Sequence, residues 1–201
     1  MTYLRKIGAA LAVVAAAMAM TAAAASAEQS TFCKVDETPC KSSNHYSTGT
    51  EYVMKSKGAI KWVYTAATFL CEGAEFEGKT ANTGSSTEAV EMVNHTQFLW
   101  SCSAPFDTLS GARMKVDWTK GTMNGTVKVT GLEYAFTNGT NCRYGGEIKE
   151  GVTMTGGSPA LMTFKEAPVP KISGGFLCAS AAKLSVEFEV TTPKPIYVSN
   201  S

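Results

Sequence analysis

The sequence has little charge and no long apolar run, and both shortages restrict what the protein can do. Of 201 residues, 18 are Lys or Arg, 17 are Asp or Glu and two are His, which gives a formal net charge of +1. This balance, without a cluster of basic residues, leaves no field for attracting nucleic acid. The apolar run from Ile7 to Met20 is 14 residues long, whereas a membrane-spanning helix needs about 20. We therefore expect no nucleic-acid partner and no membrane span in the mature chain.

Motifs for catalysis are also scarce. The sequence has no Cys-x-x-Cys pair for a redox centre or zinc site, and no Gly-x-Ser-x-Gly turn for a serine nucleophile. His45 and His95 are the only imidazoles that could act as a base, and the aspartates are Asp36, Asp107 and Asp117. His45 lies in a Ser- and Asn-rich loop and His95 in a strand-like run, which predicts surface positions for both. The sequence thus indicates no catalytic, cofactor-binding or metal-binding residue.

The first 27 residues have the three parts of a secretory signal peptide. Arg5 and Lys6 precede the apolar, Ala-rich run, and the small residues Ala25-Ser26-Ala27 follow it. Cleavage near Ala27 predicts a secreted, extracytoplasmic protein, and the alternative is an uncleaved anchor. Since Glu28 rather than Cys follows the predicted cut, no lipid can be attached there. The mature chain, residues 28–201, has a net charge of 16 − 17 = −1.

All six cysteines lie in the mature part and predict a disulfide framework. An even number of cysteines in an exported chain is typical of disulfides, because no reducing system operates outside the cytosol. Six cysteines allow 15 pairings, and the sequence alone does not choose among them. Their order favours neighbours, which on the chain-entropy model contribute about 2.5 kcal/mol for the short loop and about 3.7 kcal/mol for each longer one. The favoured pairs are Cys33–Cys40, Cys71–Cys102 and Cys142–Cys178.

Apolar and polar residues alternate along much of the mature chain. The runs Leu184–Val190, Met114–Trp118 and Val127–Val129 follow this pattern, which places one face of a strand in a core and the other in water. Glycine-containing turn signals, such as Asn124-Gly125, separate the candidate strands. The sequence therefore predicts one all-β domain over residues 28–201, an antiparallel β-sandwich or barrel of roughly ten short strands.

Three segments are expected to depart from this strand pattern. Residues 28–47 predict an irregular loop with its own disulfide. Ala167–Lys171, with two prolines, predicts a stiff connection between strands. Phe176–Lys183, which contains three alanines, is the one place where a short helical turn is expected. The final apolar segment, Ile196–Val198, follows two prolines and is expected on a sheet edge.

Acidic and aromatic clusters have ordinary explanations. Paired carboxylates hydrolyse glycosides in some enzymes, but alternation places Glu187 and Glu189 on the solvent face of a strand. The stretch Glu72–Glu77 predicts an acidic turn, with weak calcium binding as the alternative. A row of tryptophans can stack on sugars, whereas the parity of Trp62 and Trp118 with apolar neighbours favours core positions.

Several cysteine contexts and strand ends together resemble exported, disulfide-containing all-β proteins of GC-rich bacteria. The segments that carry the resemblance are Phe69-Leu70-Cys71-Glu72, Trp100-Ser101-Cys102, Asn141-Cys142-Arg143-Tyr144, Gly174-Gly175-Phe176-Leu177-Cys178 and Thr191-Thr192-Pro193-Lys194-Pro195-Ile196-Tyr197-Val198. The resemblance covers nearly all of residues 31–198. It implies an extracytoplasmic all-β domain and transfers no catalytic residue.

These observations together predict an exported, non-enzymatic β-domain that acts as a structural or binding module at or near the cell surface. Envelope polysaccharide and surface proteins are the partner classes that such a module would meet, and no cofactor is expected. The open alternative is a small secreted hydrolase that uses His95 or His45 with a nearby carboxylate.

Overall fold

Alternating apolar and polar residues form antiparallel strands along most of the chain. The computed structural model describes residues 30–64, 67–84, 90–103, 105–136 and 141–201; the predicted signal peptide lies outside these ranges. The strands are β1 (Thr31–Cys33), β2 (Glu51–Ser56), β3 (Ile60–Tyr64), β4 (Ala67–Thr80), β5 (Val90–Cys102), β6 (Phe106–Ser110), β7 (Arg113–Trp118), β8 (Asn124–Phe136), β9 (Cys142–Ile148), β10 (Val152–Thr155), β11 (Leu161–Ser173), β12 (Ala181–Thr192) and β13 (Tyr197–Ser199). A single 3-10 turn, Ser42–Asn44, is the one helical element among the described residues. The all-β prediction is confirmed.

The strand pairing of the large sheet closes on itself. Starting from β12, the ring passes through β2 and β3 to β4, then through β5, β7 and β8, and returns through β9 and β10 to β11, which pairs with β12. β2 and β3 pair with different parts of β4, and they also pair with different parts of β12. In the same way, β9 and β10 pair with different parts of β8 and of β11. β6 adds to β8.

Side chains that point into the ring form one continuous apolar core. β12 shows the pattern clearly, since Leu184, Val186, Phe188 and Val190 are buried and the residues between them are not. Trp62 is fully buried, as its parity predicts, whereas Trp118 is half-buried and packs against the edge of the core.

The two ends of the ring differ. At one end β5, β8 and β11 finish and β4, β9 and β12 begin; the disulfides Cys71–Cys102 and Cys142–Cys178 lie there, and we call it the disulfide end. At the other end β1 pairs with β13 in a small sheet that contacts the start of β8. The third disulfide, Cys33–Cys40, closes the loop that follows β1. These three pairs are the neighbours that the cysteine order favours, and they indicate an oxidising, extracytoplasmic environment.

Three local predictions are wrong. The stretch Glu72–Glu77 is the middle of β4 rather than an acidic turn, and Asn124-Gly125 begins β8 rather than forming a hairpin turn. Phe176–Lys183 contains a turn followed by the start of β12 rather than a helical turn. In each case a turn was predicted inside or beside a long strand. Several strands are therefore longer than predicted and contain 12–14 residues.

The expected loop at Ala167–Lys171 is also wrong, because these residues belong to β11. Ala167 and Val169 are buried, and the segment pairs with β12. The opposite edge of β11 pairs with β10 up to Phe164 and with β9 from Lys171 onward. The prolines lie between these two ladders, where the missing N–H costs no ladder hydrogen bond.

Residues 30–47 contain more regular structure than the irregular loop predicted for residues 28–47. β1 lies within this range, and Phe32 is buried in the main core. The expectation that Ile196–Val198 lies on an open edge is wrong, because the segment is paired on both sides. β13 pairs with β1, and on the other side Ile196 bridges Gly157 and the Val198 N–H donates to the Met123 carbonyl at 3.1 Å. None of the described residues forms a helix with the length and hydropathy that crossing a membrane requires.

Candidate functional site

The structure places His45 beside a backbone carbonyl. Its Nε2 atom lies 3.1 Å from the carbonyl oxygen of Cys40, and the residue follows the 3-10 turn in the loop after β1. No contact of this ring with a serine hydroxyl is found among the described residues. His95 lies within β5, as its sequence context predicts, and its side chain falls outside the described set. The structure therefore assembles no nucleophile and base around His45.

Glu37 lies in the same loop as His45 and forms several hydrogen bonds with its neighbours. Its carboxylate accepts hydrogen bonds from the Asn44 side-chain amide at 2.7 Å and the Lys41 backbone N–H at 2.8 Å. These bonds hold the pKa of Glu37 below its usual value. Glu37, Cys33 and Cys40 form the one group, within the described residues, whose possible ligand atoms lie close enough together to hold a metal ion. Because both cysteines are in a disulfide, they offer no thiolate ligand.

The remaining acidic candidates belong to charged strand faces. Glu187 forms an ion pair with Lys57 at 2.9 Å, and Glu75 forms one with Lys55 at 3.1 Å. These pairs lie on the outer faces of β2, β4 and β12, and their partners are partly exposed. The arrangement is that of a solvated sheet surface, where such pairs contribute little energy.

The interior of the ring is filled rather than hollow. It contains a cavity of about 20 Å³, whereas small-molecule sites usually measure about 300–1,000 Å³. The lining is almost wholly apolar, with the Tyr134 hydroxyl as one polar group, and that hydroxyl accepts a hydrogen bond from the Gln97 amide at 3.2 Å. Burial raises the pKa of Tyr134, so the phenol stays neutral. This cavity is too small for a ligand of that size.

Trp100 is the one tryptophan with a largely exposed ring. Its side chain is 43% exposed, and it lies on β5 directly opposite Gly73 of β4. A Cβ atom at Gly73 would come within 2.4 Å of the Trp100 ring, so the glycine lets the ring lie against the backbone. A ring supported in this way presents its other side to solvent.

Among the side chains that the structure describes, the large apolar ones that are exposed lie mainly at the disulfide end. Val35 is the exception and belongs to the loop after β1, at the other end of the ring. Phe176 has the most extreme exposure, at 95%, and its neighbour Leu177 is 58% exposed. The exposed residues at the disulfide end are Leu70, Trp100, Ile172, Phe176 and Leu177. Phe176 and Leu177 are adjacent in the turn, and adjoining exposed apolar side chains mark a contact surface more often than scattered single residues do.

Phe176 and Leu177 occupy the tip of the turn between β11 and β12. The backbone N–H of Cys178 donates to the carbonyl of Gly175 at 3.1 Å, which makes Phe176 and Leu177 the two central residues of a four-residue turn. Sequence reasoning missed this site because the alanines that follow favoured a helical turn. The available signal was a run without charge, residues 172–182, between Lys171 and Lys183.

Comparison of this chain with protein-family models, with curated proteins and with solved structures finds no match. The assignment of a function therefore depends on the geometry of the chain itself.

Proposed function

We propose that the protein is an exported, non-enzymatic β-domain that acts as a binding or structural module at or near the bacterial cell surface. The observation that carries the proposal is the apolar turn at the disulfide end, with Phe176 at 95% exposure beside Leu177. A side chain of this size gains about 1.5–3 kcal/mol when it leaves water, and a partner supplies that burial. Export after cleavage near Ala27 accords with the three disulfides.

The filled interior and the charged outer faces support a surface-binding role over a ligand-carrying role. Ion pairs cover the outer sides of β2, β4 and β12, and the interior cavity is too small for a ligand. The disulfides restrain the exposed end, so little order has to be gained when a partner binds. Envelope polysaccharide and surface proteins remain the partner classes to be screened.

The experiment uses the chain expressed with residues 1–27 and purified in the form that the cell exports. Binding to intact cells and to isolated envelope polysaccharides is measured alongside hydrolysis of a panel of ester, peptide and glycoside substrates. We expect saturable binding to cells and no turnover. Hydrolysis without binding would overturn the proposal, and loss of that hydrolysis in His45→Gln or His95→Gln would establish the hydrolase alternative.

A further inference from the structure

The turn Gly175–Cys178 contains residues that neither turn formation nor core packing explains. Central positions of tight turns usually hold Gly, Pro, Asn, Asp or Ser, which suit the backbone and tolerate water. Here the two central residues are Phe176 and Leu177, which are 95% and 58% exposed. Since a polar pair would form the same turn with less exposed apolar surface, these side chains point to contact with something outside the chain.

The turn is firmly supported from below. Cys178 is joined to Cys142 at the start of β9 by a disulfide. Gly174 has a φ of +126°, and a Cβ there would lie 2.4 Å from the Cys178 sulfur. The base of the tip is therefore restrained, so binding has less order to impose on it.

The residues on both sides of the tip carry no charge, and a lysine lies at each end of this uncharged run. Residues 172–182 carry no charge, and the run is flanked by Lys171 and Lys183. Lys183 contacts Glu166 at 3.2 Å, with both side chains more than half exposed, and the Lys171 ammonium donates one hydrogen bond to the Cys178 carbonyl at 3.3 Å. Exposed contacts of this kind are weak enough to exchange partners. Long lysine side chains beside an apolar tip can follow it to an interface while their ammonium groups remain in water.

The shape of the tip distinguishes between possible partners. A Cβ placed at Gly175 would have no atom within 4 Å, so the turn protrudes into open space. A protruding apolar tip with cationic flanks matches the boundary between acyl chains and anionic headgroups. We propose that this turn is a membrane-contact site, in which Phe176 and Leu177 enter the interface of an anionic phospholipid bilayer and Lys171 and Lys183 approach lipid phosphates.

The inference deepens the proposed function and depends on it, because it names the partner of the same exposed end. Two side chains and two lysines give a weak and reversible attachment rather than a permanent anchor. Binding is therefore expected to fall as salt is added, since the contribution of the lysines is screened.

The test measures co-sedimentation of the exported protein with vesicles of phosphatidylcholine, alone or mixed with phosphatidylglycerol. We expect binding to the mixed vesicles and binding weaker by at least about tenfold in the double variant Phe176→Ser/Leu177→Ser. Val35→Ser is the matched control, because Val35 is exposed at the opposite end of the ring. It should bind as the wild type does.

A spectroscopic variant reports insertion directly. Phe176→Trp should show a blue shift of its added emission when mixed vesicles are present, and the unfolding midpoint of each variant in urea should match the wild type. Equal binding by the wild type and the double serine variant would overturn the inference, as would an unshifted Phe176→Trp. Cell binding without vesicle binding, especially if protease treatment of the cells removes it, rejects a lipid partner and leaves the proposed function in place. Binding to neither rejects both.

Discussion

Phe136 is the centre of an aromatic cluster at the disulfide end, and its replacement gives the sharpest stability prediction. It is fully buried at the end of β8. Among the described side chains its ring contacts four others, with centroid distances of 4.6 Å to Tyr64, 5.2 Å to Phe69, 5.8 Å to Tyr144 and 6.0 Å to Trp62. Phe136→Leu nearly conserves volume and removes these ring contacts, so the loss of stability reports mainly on the cluster.

The matched control is Phe76→Leu, which makes the same chemical change at another buried position. Phe76 contacts Phe188 with a centroid distance of 4.9 Å. Each aromatic pair contributes about 0.5–1.5 kcal/mol beyond burial, so the three extra pairs make Phe136→Leu more destabilising by roughly 1.5–4.5 kcal/mol. With a urea m-value of about 2 kcal/mol/M, the unfolding midpoint should be lower than that of Phe76→Leu by at least about 0.7 M. Equal midpoints at equal m-values would refute the reasoning.

Three further predictions concern the disulfides, acid stability and the exposed tryptophan. Removing one disulfide in Cys142→Ser/Cys178→Ser should lower the unfolding free energy in urea by about 3.7 kcal/mol and weaken vesicle binding, whereas unchanged values would contradict a rigid support for the turn. The lowered pKa of Glu37 gives stability that is present above its usual pKa and is lost as the pH falls through the lower, folded-state value. Carbon-13 NMR of the Glu37 carboxyl should find that lower titration midpoint. Glu37→Gln should make the unfolding free energy depend less steeply on pH in the acid range. Gly73→Ala should displace the Trp100 ring and increase acrylamide quenching of tryptophan emission, and unchanged quenching would show that the ring does not depend on the glycine.

The sequence predicted the class of fold because its signals are local. In β12 the alternation from Leu184 to Val190 reports directly which side of the strand meets the core. The even number of cysteines in an exported chain likewise required no knowledge of the fold. Both signals arise within a few residues or from simple counting.

The errors occurred where a neighbouring strand decides the outcome. Pro168 and Pro170 are tolerated in β11 because they lie between the ladders to β10 and β9, and only the topology creates that interval. The alternating run Val127–Val129 is only part of β8, because Gly131, with a φ of +74°, lies at a bulge through which the strand continues. Ring closure itself arises from pairings between distant segments, which no local pattern reports.

The candidate site was missed for a different physical reason. Exposure of Phe176 depends on the turn that Cys178 closes and on its disulfide to Cys142, and an apolar residue in isolation predicts burial. His45 was placed correctly in a loop, and its contact with the Cys40 carbonyl became visible only in three dimensions.

Binding of the exported protein to intact cells tests the central claim most directly, with Phe176→Ser/Leu177→Ser compared with Val35→Ser. Both variants replace exposed apolar side chains by the same polar residue, at opposite ends of the ring. The account predicts that the double variant at the disulfide end loses most cell binding and that Val35→Ser retains it. Equal cell binding by the two variants and the wild type would contradict the claim that the apolar turn is the contact surface.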